Sequence, residues 1–173
     1  MDAMEGAMEA GVAEAGRSAD FADFFRAEHE TLLRAMYLVT GDRHEAEDLA
    51  QSAFVRVCEK WDRVQRMQNP SGYLYRTAVN AQRSRLRRVG AGARHVFASV
   101  PPDPISASDD RDRIRRALAT LPVSQREAIV LVEWLGMTDV EAGEVLRVSP
   151  VAVRVRISRG KASLRLLLER APA

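Results

Sequence analysis

Four polar side chains in the middle of this chain have the types and the spacing needed to bind a polyanion. Arg76, Asn80, Arg83 and Arg87 follow one another at intervals of 4, 3 and 4 residues, so they share one face of a helix. Guanidinium groups hold phosphates, and a short amide can hydrogen-bond to a base edge. The pattern predicts a nucleic-acid strand along this helix. The alternative is a basic face that is merely solvated.

A second basic group follows a short helix and a tight turn near the C-terminus. The helix is expected from Thr138 to Leu146, and Ser149 and Pro150 are expected to begin the next one. A short helix, a turn and a basic second helix predict a helix-turn-helix, whose second helix enters the major groove of DNA. The alternative is a helical hairpin with a solvated basic face. Arg147 occupies a turn position where Gly is usual, at a cost of about 1 kcal/mol if the backbone there is left-handed.

Charge along the chain is sorted into four blocks that the net charge of +2 conceals. Residues 1–59 have five basic and thirteen acidic side chains, and residues 60–100 have nine basic and one acidic. Residues 101–145 have five basic and nine acidic, and residues 146–173 have seven basic and one acidic. Two separated basic segments, each after an acidic one, predict contact with a polyanion at two places.

The residue inventory argues against several classes of function. Cys58 is the single cysteine, and His29, His44 and His95 are scattered, so neither a disulfide nor a metal site is expected. A Gly-rich phosphate loop and a nucleophile–base pattern are both missing, so we expect neither an enzyme nor a cofactor. With no apolar run of about 18 residues and no secretory signal, we expect a cytoplasmic protein that does not associate with membranes.

Periodicity predicts an all-α fold of two small helical domains. We expect a disordered acidic extension at 1–17, a first domain at 18–90, a Pro- and Gly-containing linker at 91–108 and a second domain at 109–170. The local signals behind this division are two glycine stops and three capping pairs. They are Gly41 and Gly136, and Asp42 with Glu45, Ser124 with Glu127 and Thr138 with Glu141. The first helix is expected to begin at Asp20, and Ile114 should lie in the apolar stripe of the helix after the linker.

An amphipathic helix precedes the first basic block. Its outward positions hold Asp48, Gln51, Ser52 and Arg56. Such a face is either solvated or a docking surface for a partner helix. The residues alone leave both interpretations open.

Three segments together resemble the extracytoplasmic-function (ECF) sigma factors, which are small sigma factors of bacterial RNA polymerase. AEDLAQSAFVRV is similar to the family's polymerase-binding helix, and NPSGYLYRTAVNAQRSRLRR is similar to its −10 helix. The segment that begins with LPVSQREAIVLV and ends in the C-terminal helix is similar to the family's −35 region. The amino-acid sequence of these segments most resembles the actinobacterial SigE-like group. The resemblance covers roughly Phe21 to Leu168 and implies a region 2 bundle, a region 4 helix-turn-helix and promoter-specific initiation of transcription.

The resemblance also implies roles for individual residues and a set of partners. Contacts to core RNA polymerase, through its β′ and β subunits, are expected at Asp48, Gln51, Phe54 and Arg56. Contacts to the −10 element are expected at Trp61, Arg76, Asn80, Arg83 and Arg87, with the loop 62–69 holding an extruded base. Contacts to the −35 element are expected at Ser149, Val151, Arg154, Arg156, Arg159 and Lys161. Promoter DNA and an anti-sigma factor are the further candidate partners.

This chain departs from the family's pattern at the helix-turn-helix. Arg147 replaces the turn glycine, Gly143 replaces a small residue that is often Ala, and Ala152 and Val155 replace polar residues of the recognition helix. These departures bear on the −35 sequence that is read. Two alternatives stay open: a stand-alone regulator that binds duplex DNA as a two-fold dimer, and a sigma-like protein that binds polymerase without initiating. For Trp61, a place in the core is the alternative to a DNA contact.

Overall fold

The computed structural model describes residues 2–89 and 109–170, and within those ranges the regular structure is helical throughout. The first range contains α1 (Asp2–Thr40), α2 (Arg43–Cys58), α3 (Trp61–Val64) and α4 (Pro70–Val89). The second contains α5 (Asp109–Ala119), α6 (Val123–Ile129), α7 (Asp139–Leu146) and α8 (Pro150–Arg170), with a π-helical turn at Val130–Trp134. The expected all-α fold is confirmed, and the expected linker at 91–108 lies outside the described residues.

The first four helices pack around an apolar core. Its buried members come from all four helices and include Leu32, Met36, Val39, Leu49, Val57, Val64, Leu74 and Val79. The signals that separate α1 from α2 act as predicted. Gly41 has a φ of 76°, a left-handed conformation that Gly adopts at no steric cost. The Asp42 carboxylate then caps α2 by accepting a hydrogen bond from the Glu45 amide at 2.8 Å.

The N-terminal segment differs from the prediction. The sequence predicts disorder at 1–17 and a helix from Asp20, but α1 begins at Asp2 and continues without a break to Thr40. The segment is rich in Ala, Glu and Met, which are strong helix formers, and it has no proline. Once packing has nucleated a helix, adding further residues of this kind to its end costs little.

The second range contains the predicted helix-turn-helix. Gly136, with a φ of 67°, follows the π-helical turn. The Thr138 hydroxyl accepts a hydrogen bond from the Glu141 amide at 3.2 Å, and the Glu141 carboxylate accepts one from the Thr138 amide at 2.8 Å. This reciprocal capping box fixes the start of α7, as the sequence predicts.

Two local predictions in this half are wrong. Ser124 and Glu127 do not form a capping box, because α6 begins at Val123 after Pro122 and has no side-chain cap. Ile114 is 55 % exposed rather than part of the core. Its neighbour Arg115 is buried instead, with its guanidinium carbon 5.6 Å from the centre of the Tyr37 ring of α1.

The turn between α7 and α8 depends on two unusual positions. Arg147 adopts the left-handed conformation, with φ 55° and ψ 47°, where Gly would be unstrained. Gly143 lies so close to the turn that a Cβ atom there would be 2.8 Å from the Val148 carbonyl oxygen. The helix-turn-helix therefore forms with Arg147 in the turn, and the backbone approach requires Gly at 143.

The first half of the chain (residues 2–89) and the second half (residues 109–170) pack against each other. Helix α4 contacts α7, and α1 contacts both α5 and α6. The buried apolar side chains of both halves form one contiguous cluster. In the described part of the chain, none of the helices has the length and apolar character to cross a membrane.

Candidate nucleic-acid interfaces

Helix α8 exposes one face because its opposite face is anchored in the core. The Ser149 hydroxyl accepts a hydrogen bond from the Ala152 amide at 3.2 Å, and α8 begins at Pro150. Val153 and Ile157 are buried, as the periodicity predicts. Of the six residues expected to contact DNA, the half-buried one is Arg156, and the exposed ones are Ser149, Val151, Arg154, Arg159 and Lys161. The structure thus places this predicted set on α8 and at the residue just before it.

Two exposed cations of α8 are held by acidic side chains from preceding elements. The Arg154 Nη1 atom is 3.2 Å from Asp139 Oδ2, and the Lys161 Nζ atom is 2.8 Å from Glu133 Oε1. Exposed pairs of this kind stabilise a fold by less than about 1 kcal/mol, but they restrict the orientation of the cation. The helical pattern gave no sign of these partners, because they lie on other elements.

The arginine stripe of α4 forms as predicted, but α6 and α7 cover part of it. The Arg83 guanidinium donates to both carboxylate oxygens of Glu127, at 2.7 Å from Nη2 and 3.3 Å from Nε. Its third nitrogen, Nη1, donates to the carbonyl oxygen of Leu146, the last residue of α7, at 2.6 Å. Each guanidinium nitrogen of Arg83 therefore already has an acceptor from the second half.

Two further contacts extend this interface along α4. The Arg76 Nη2 atom is 3.3 Å from Glu144 Oε2, and the Asn69 amide nitrogen, just before α4, is 3.4 Å from Glu141 Oε1. Asn80 is half-buried and Arg87 is exposed. In this conformation, the stripe is therefore not open to solvent along its whole length. Spacing identifies the residues that share a face, whereas packing decides what covers it.

Trp61 lies in the core rather than on a nucleic-acid surface. It is 8 % exposed, and its ring centre is 5.4 Å from that of Phe21 and 5.0 Å from that of Phe24. The first part of the expected loop 62–69 belongs to helix α3, which Trp61 begins. The prediction that Trp61 contacts the −10 element directly is wrong for this conformation, because the aromatic residues of α1 cover it.

The expected polymerase-binding face of α2 has three exposed members and one buried one. Asp48, Gln51 and Arg56 are exposed. Phe54 is 4 % exposed, and its ring lies 4.7 Å from that of Phe25 and 6.4 Å from that of Phe24. The prediction that Phe54 contacts polymerase at the surface is therefore wrong. Phe54 packs between α2 and α1, because its position on α2 faces α1.

A buried group of charges joins the two halves near this interface. Arg126 is 1 % exposed, and burial lowers its pKa to about 10, while the nearby carboxylates of Glu127 and Glu45 oppose that shift. Arg126 belongs to α6 and Glu45 to α2, so the attraction acts between halves. Glu45 also lies 3.6 Å from Arg85 of α4. The Arg126 guanidinium stays protonated at neutral pH, and its positive charge attracts carboxylates of both halves.

The geometry defines a DNA-binding protein with a helix-turn-helix and a second basic helix. Among the residues that the structure describes, no cluster of three or more His, Cys, Asp or Glu side chains could hold a metal ion. Two family models match the chain: Sigma-70 region 2 over residues 24–91, and Sigma-70, region 4, over residues 111–164.

Several curated proteins are similar over most of their length. The ECF RNA polymerase sigma factor SigM of Mycobacterium tuberculosis H37Rv is 31 % identical over 156 residues, which is 89 % of this chain and 80 % of that protein. SigW of Bacillus subtilis, also an ECF RNA polymerase sigma factor, is 28 % identical over 162 residues, or 84 % and 87 % of the two chains. The RNA polymerase sigma-E factor of Streptomyces avermitilis is 29 % identical over 158 residues, or 89 % and 88 %.

Two solved structures share this architecture. One is the sigma factor RpoE in complex with the anti-sigma factor NepR from Bartonella quintana, with a TM-score of 0.74 and 24 % identity over 88 % of this chain and 99 % of that one. The other is CnrH in complex with the cytosolic domain of CnrY, with a TM-score of 0.67 and 27 % identity over 94 % and 96 %. The chain belongs to the ECF family of RNA polymerase sigma factors. It binds core RNA polymerase and directs promoter-specific initiation of transcription.

Proposed function

We propose that the two basic helices divide promoter recognition between them. The exposed face of α8, with Arg154 and Arg159, reads and clamps the −35 element in the major groove. The observation that carries this assignment is the capped helix-turn-helix, which buries Val153 and leaves these cations outward. Ser149, Val151, Arg156 and Lys161 complete the −35 surface.

The α4 stripe serves the −10 element. Arg76, Arg83 and Arg87 hold the phosphates of the opened strand, and Asn80 contacts a base edge. Residues 62–69 hold an extruded base, whose unstacking costs a few kcal/mol that strand capture offsets. Supporting this assignment is the placement of the four side chains on one face of a continuous helix, α4.

Helix α2 binds the clamp helices of the polymerase β′ subunit. Asp48, Gln51 and Arg56 are its exposed contacts, and the second half meets the β subunit. Phe54 and Trp61 act indirectly, by fixing α2 and the start of α3 against α1. The protein is not an enzyme and acts in the cytoplasm beside core polymerase. An anti-sigma factor is a further partner, as NepR is for RpoE.

Run-off transcription with purified core RNA polymerase tests this function. Core polymerase with and without the protein is given a genomic promoter library, and new transcripts are mapped to their start sites. Start sites that share −35 and −10 elements are expected. A stand-alone regulator would neither co-elute with core nor create start sites, and a sigma-like protein without activity would co-elute and create none.

Two variants test the assignment of the promoter elements. Arg154→Ala should weaken transcription from promoters with an intact −35 element and leave those with a scrambled element unchanged. Equal losses on both would reduce Arg154 to a phosphate contact. Asn80→Ala combined with Arg87→Ala should impair strand opening, read by permanganate footprinting, while core binding is kept.

A further inference from the structure

Asp139, the first residue of α7, contacts an arginine of α8 across the helix-turn-helix. Its Oδ2 atom accepts a hydrogen bond from Arg154 Nη1 at 3.2 Å, and fifteen residues separate the two along the chain. Arg154 is assigned above to the −35 element, whereas Asp139 has no role in promoter recognition so far. The contact therefore links a residue of the first helix of the motif to a DNA-facing side chain of the second.

The local structure fixes both ends of this contact before DNA arrives. Helix α7 begins at Asp139 because the preceding Thr138 forms a capping box, and an acidic side chain in the first turn is favoured by the helix dipole. On the other side, Val153 and Ile157 are buried and anchor the α8 backbone around Arg154. The Asp139 side chain is 30 % exposed and that of Arg154 58 %. The carboxylate is therefore the more confined partner, and the long arginine side chain is oriented by it.

The contact occupies one nitrogen of the guanidinium and leaves an edge free. In the part of the chain that the structure describes, Arg154 Nη1 bonds to Asp139, while Nε and Nη2 have no acceptor. Arginine recognises guanine with two parallel hydrogen bonds, which O6 and N7 accept in the major groove. The Nε–Nη2 edge supplies two such donors in one plane. Arg154 can thus keep its contact to Asp139 and read a base pair at the same time.

A second pair on α8 has the same charges but a different cation. Glu133, in the π-helical turn, has its Oε1 atom 2.8 Å from Lys161 Nζ. A lysine ammonium is a compact point charge that binds phosphates and has no planar edge. Restricting its position does not favour one base over another. The Glu133–Lys161 pair is therefore a matched comparison for the pair between Asp139 and Arg154.

We propose that Asp139 is a positioning residue for −35 recognition, whose carboxylate directs the free edge of the Arg154 guanidinium at one base pair. The proposal rests on the proposed function, because it takes Arg154 as a residue that reads the −35 element. An unrestrained arginine loses rotamer freedom when it binds a base, and one that is already held loses less. A held guanidinium also cannot turn to a phosphate or to a neighbouring base. Asp139 thus increases sequence discrimination without contacting the base itself.

A promoter library with a randomised −35 region measures base preference at every position of the element. Each template has a barcode downstream of the start site, and the transcripts made by core polymerase with each protein variant are sequenced. The preference at a position is the ratio of transcription with the favoured base to transcription with the other three. Arg154→Ala identifies the position that Arg154 reads, because the preference is lost there.

Asp139→Asn keeps the size of the side chain and removes its charge. It should lower the preference at the position read by Arg154 by about two- to five-fold, the range of an exposed ion pair, and leave the other positions unchanged. Glu133→Gln removes the same charge beside Lys161 and should change transcription equally for all −35 sequences. A loss of folding stability alone would also affect all sequences equally, so a change at one position distinguishes positioning from a structural role.

A double-mutant cycle tests whether Asp139 acts through Arg154. In the Arg154→Ala background, Asp139→Asn should have no further effect on base preference. An equal loss of preference with and without the arginine would contradict the proposal. So would an unchanged or sharper preference in the Asp139→Asn single variant, and the sharper preference would mean that the carboxylate competes with DNA for the guanidinium.

Failure of this proposal and failure of the proposed function give different results. If Arg154→Ala removes the preference at one position and Asp139→Asn does not change it, the role of Asp139 is overturned and that of Arg154 stands. If Arg154→Ala leaves every −35 preference as in the wild type, the assignment of Arg154 to base readout is wrong, and the role of Asp139 is overturned with it.

Discussion

Replacing the left-handed arginine of the turn should stabilise the protein. Arg147 has φ 55° and ψ 47°, and its side chain is exposed. A left-handed backbone costs a residue with a Cβ atom roughly 1–2 kcal/mol, whereas Gly adopts it freely. Gly loses roughly 0.5–1 kcal/mol more backbone entropy on folding. Arg147→Gly should therefore raise the free energy of unfolding by about 0.5–1 kcal/mol, or Tm by about 1–4 °C.

Urea denaturation followed by circular dichroism measures this change, provided that the m value stays constant. The matched control is Arg165→Gly, which makes the same substitution at an exposed position inside α8. There Gly should lower the free energy of unfolding by about 1 kcal/mol, because the backbone is right-handed helix. The same replacement thus has opposite signs at the two sites.

The result that would refute this reasoning is equally specific. If Arg147→Gly is neutral or destabilising while Arg165→Gly behaves as expected, the turn does not store the conformational cost assigned to it. The Arg147 side chain would then stabilise the turn by an amount that offsets its backbone. An asparagine at 147, which tolerates the left-handed region, should fall between Arg and Gly.

Three further predictions concern other parts of the structure. Gly143→Ala should destabilise the fold by about 1–3 kcal/mol in urea denaturation despite the better helix propensity of Ala, because its Cβ would lie 2.8 Å from the Val148 carbonyl oxygen. Phe54→Ala should cost about 3–5 kcal/mol of stability, whereas Gln51→Ala should change stability by less than about 0.5 kcal/mol and weaken only core binding. Burial raises the pKa of the Tyr75 phenol above its ordinary 10.0, so the folded state binds its proton more tightly than the unfolded state. The wild type should accordingly lose stability relative to Tyr75→Phe as the pH rises above 10.0, measured by chemical denaturation across that range.

Local signals in the sequence were sufficient for most element boundaries. Gly41, Asp42, Thr138 and Ser149 stop or cap helices where the pattern places them. Such signals can be recognised in the sequence because a cap needs a partner only two or three residues away. Ser124 is not a cap because α6 already begins at Val123, after Pro122, and Glu127 is instead ion-paired with Arg83, 44 residues distant.

The site residues show what helical periodicity can predict and what it cannot. Periodicity correctly groups Arg76 with Arg83, since side chains seven residues apart, about two turns, share a side of a helix. The binding roles of Phe54 and Trp61 came instead from the resemblance to the sigma factors, and an aromatic ring beside charges suits either a surface or a core. The aromatic residues of α1 decide that choice by packing over both rings.

The sequence by itself determined the helical fold, the helix-turn-helix, the two basic helices and the family, because all of these depend on local spacing and on motifs read in order. The tertiary structure alone decided which faces are covered. Arg83 meets Glu127 and the end of α7 because two distant, oppositely charged segments are brought together on folding. Pairing of that kind depends on geometry across the whole molecule, and no periodicity within a single helix encodes it.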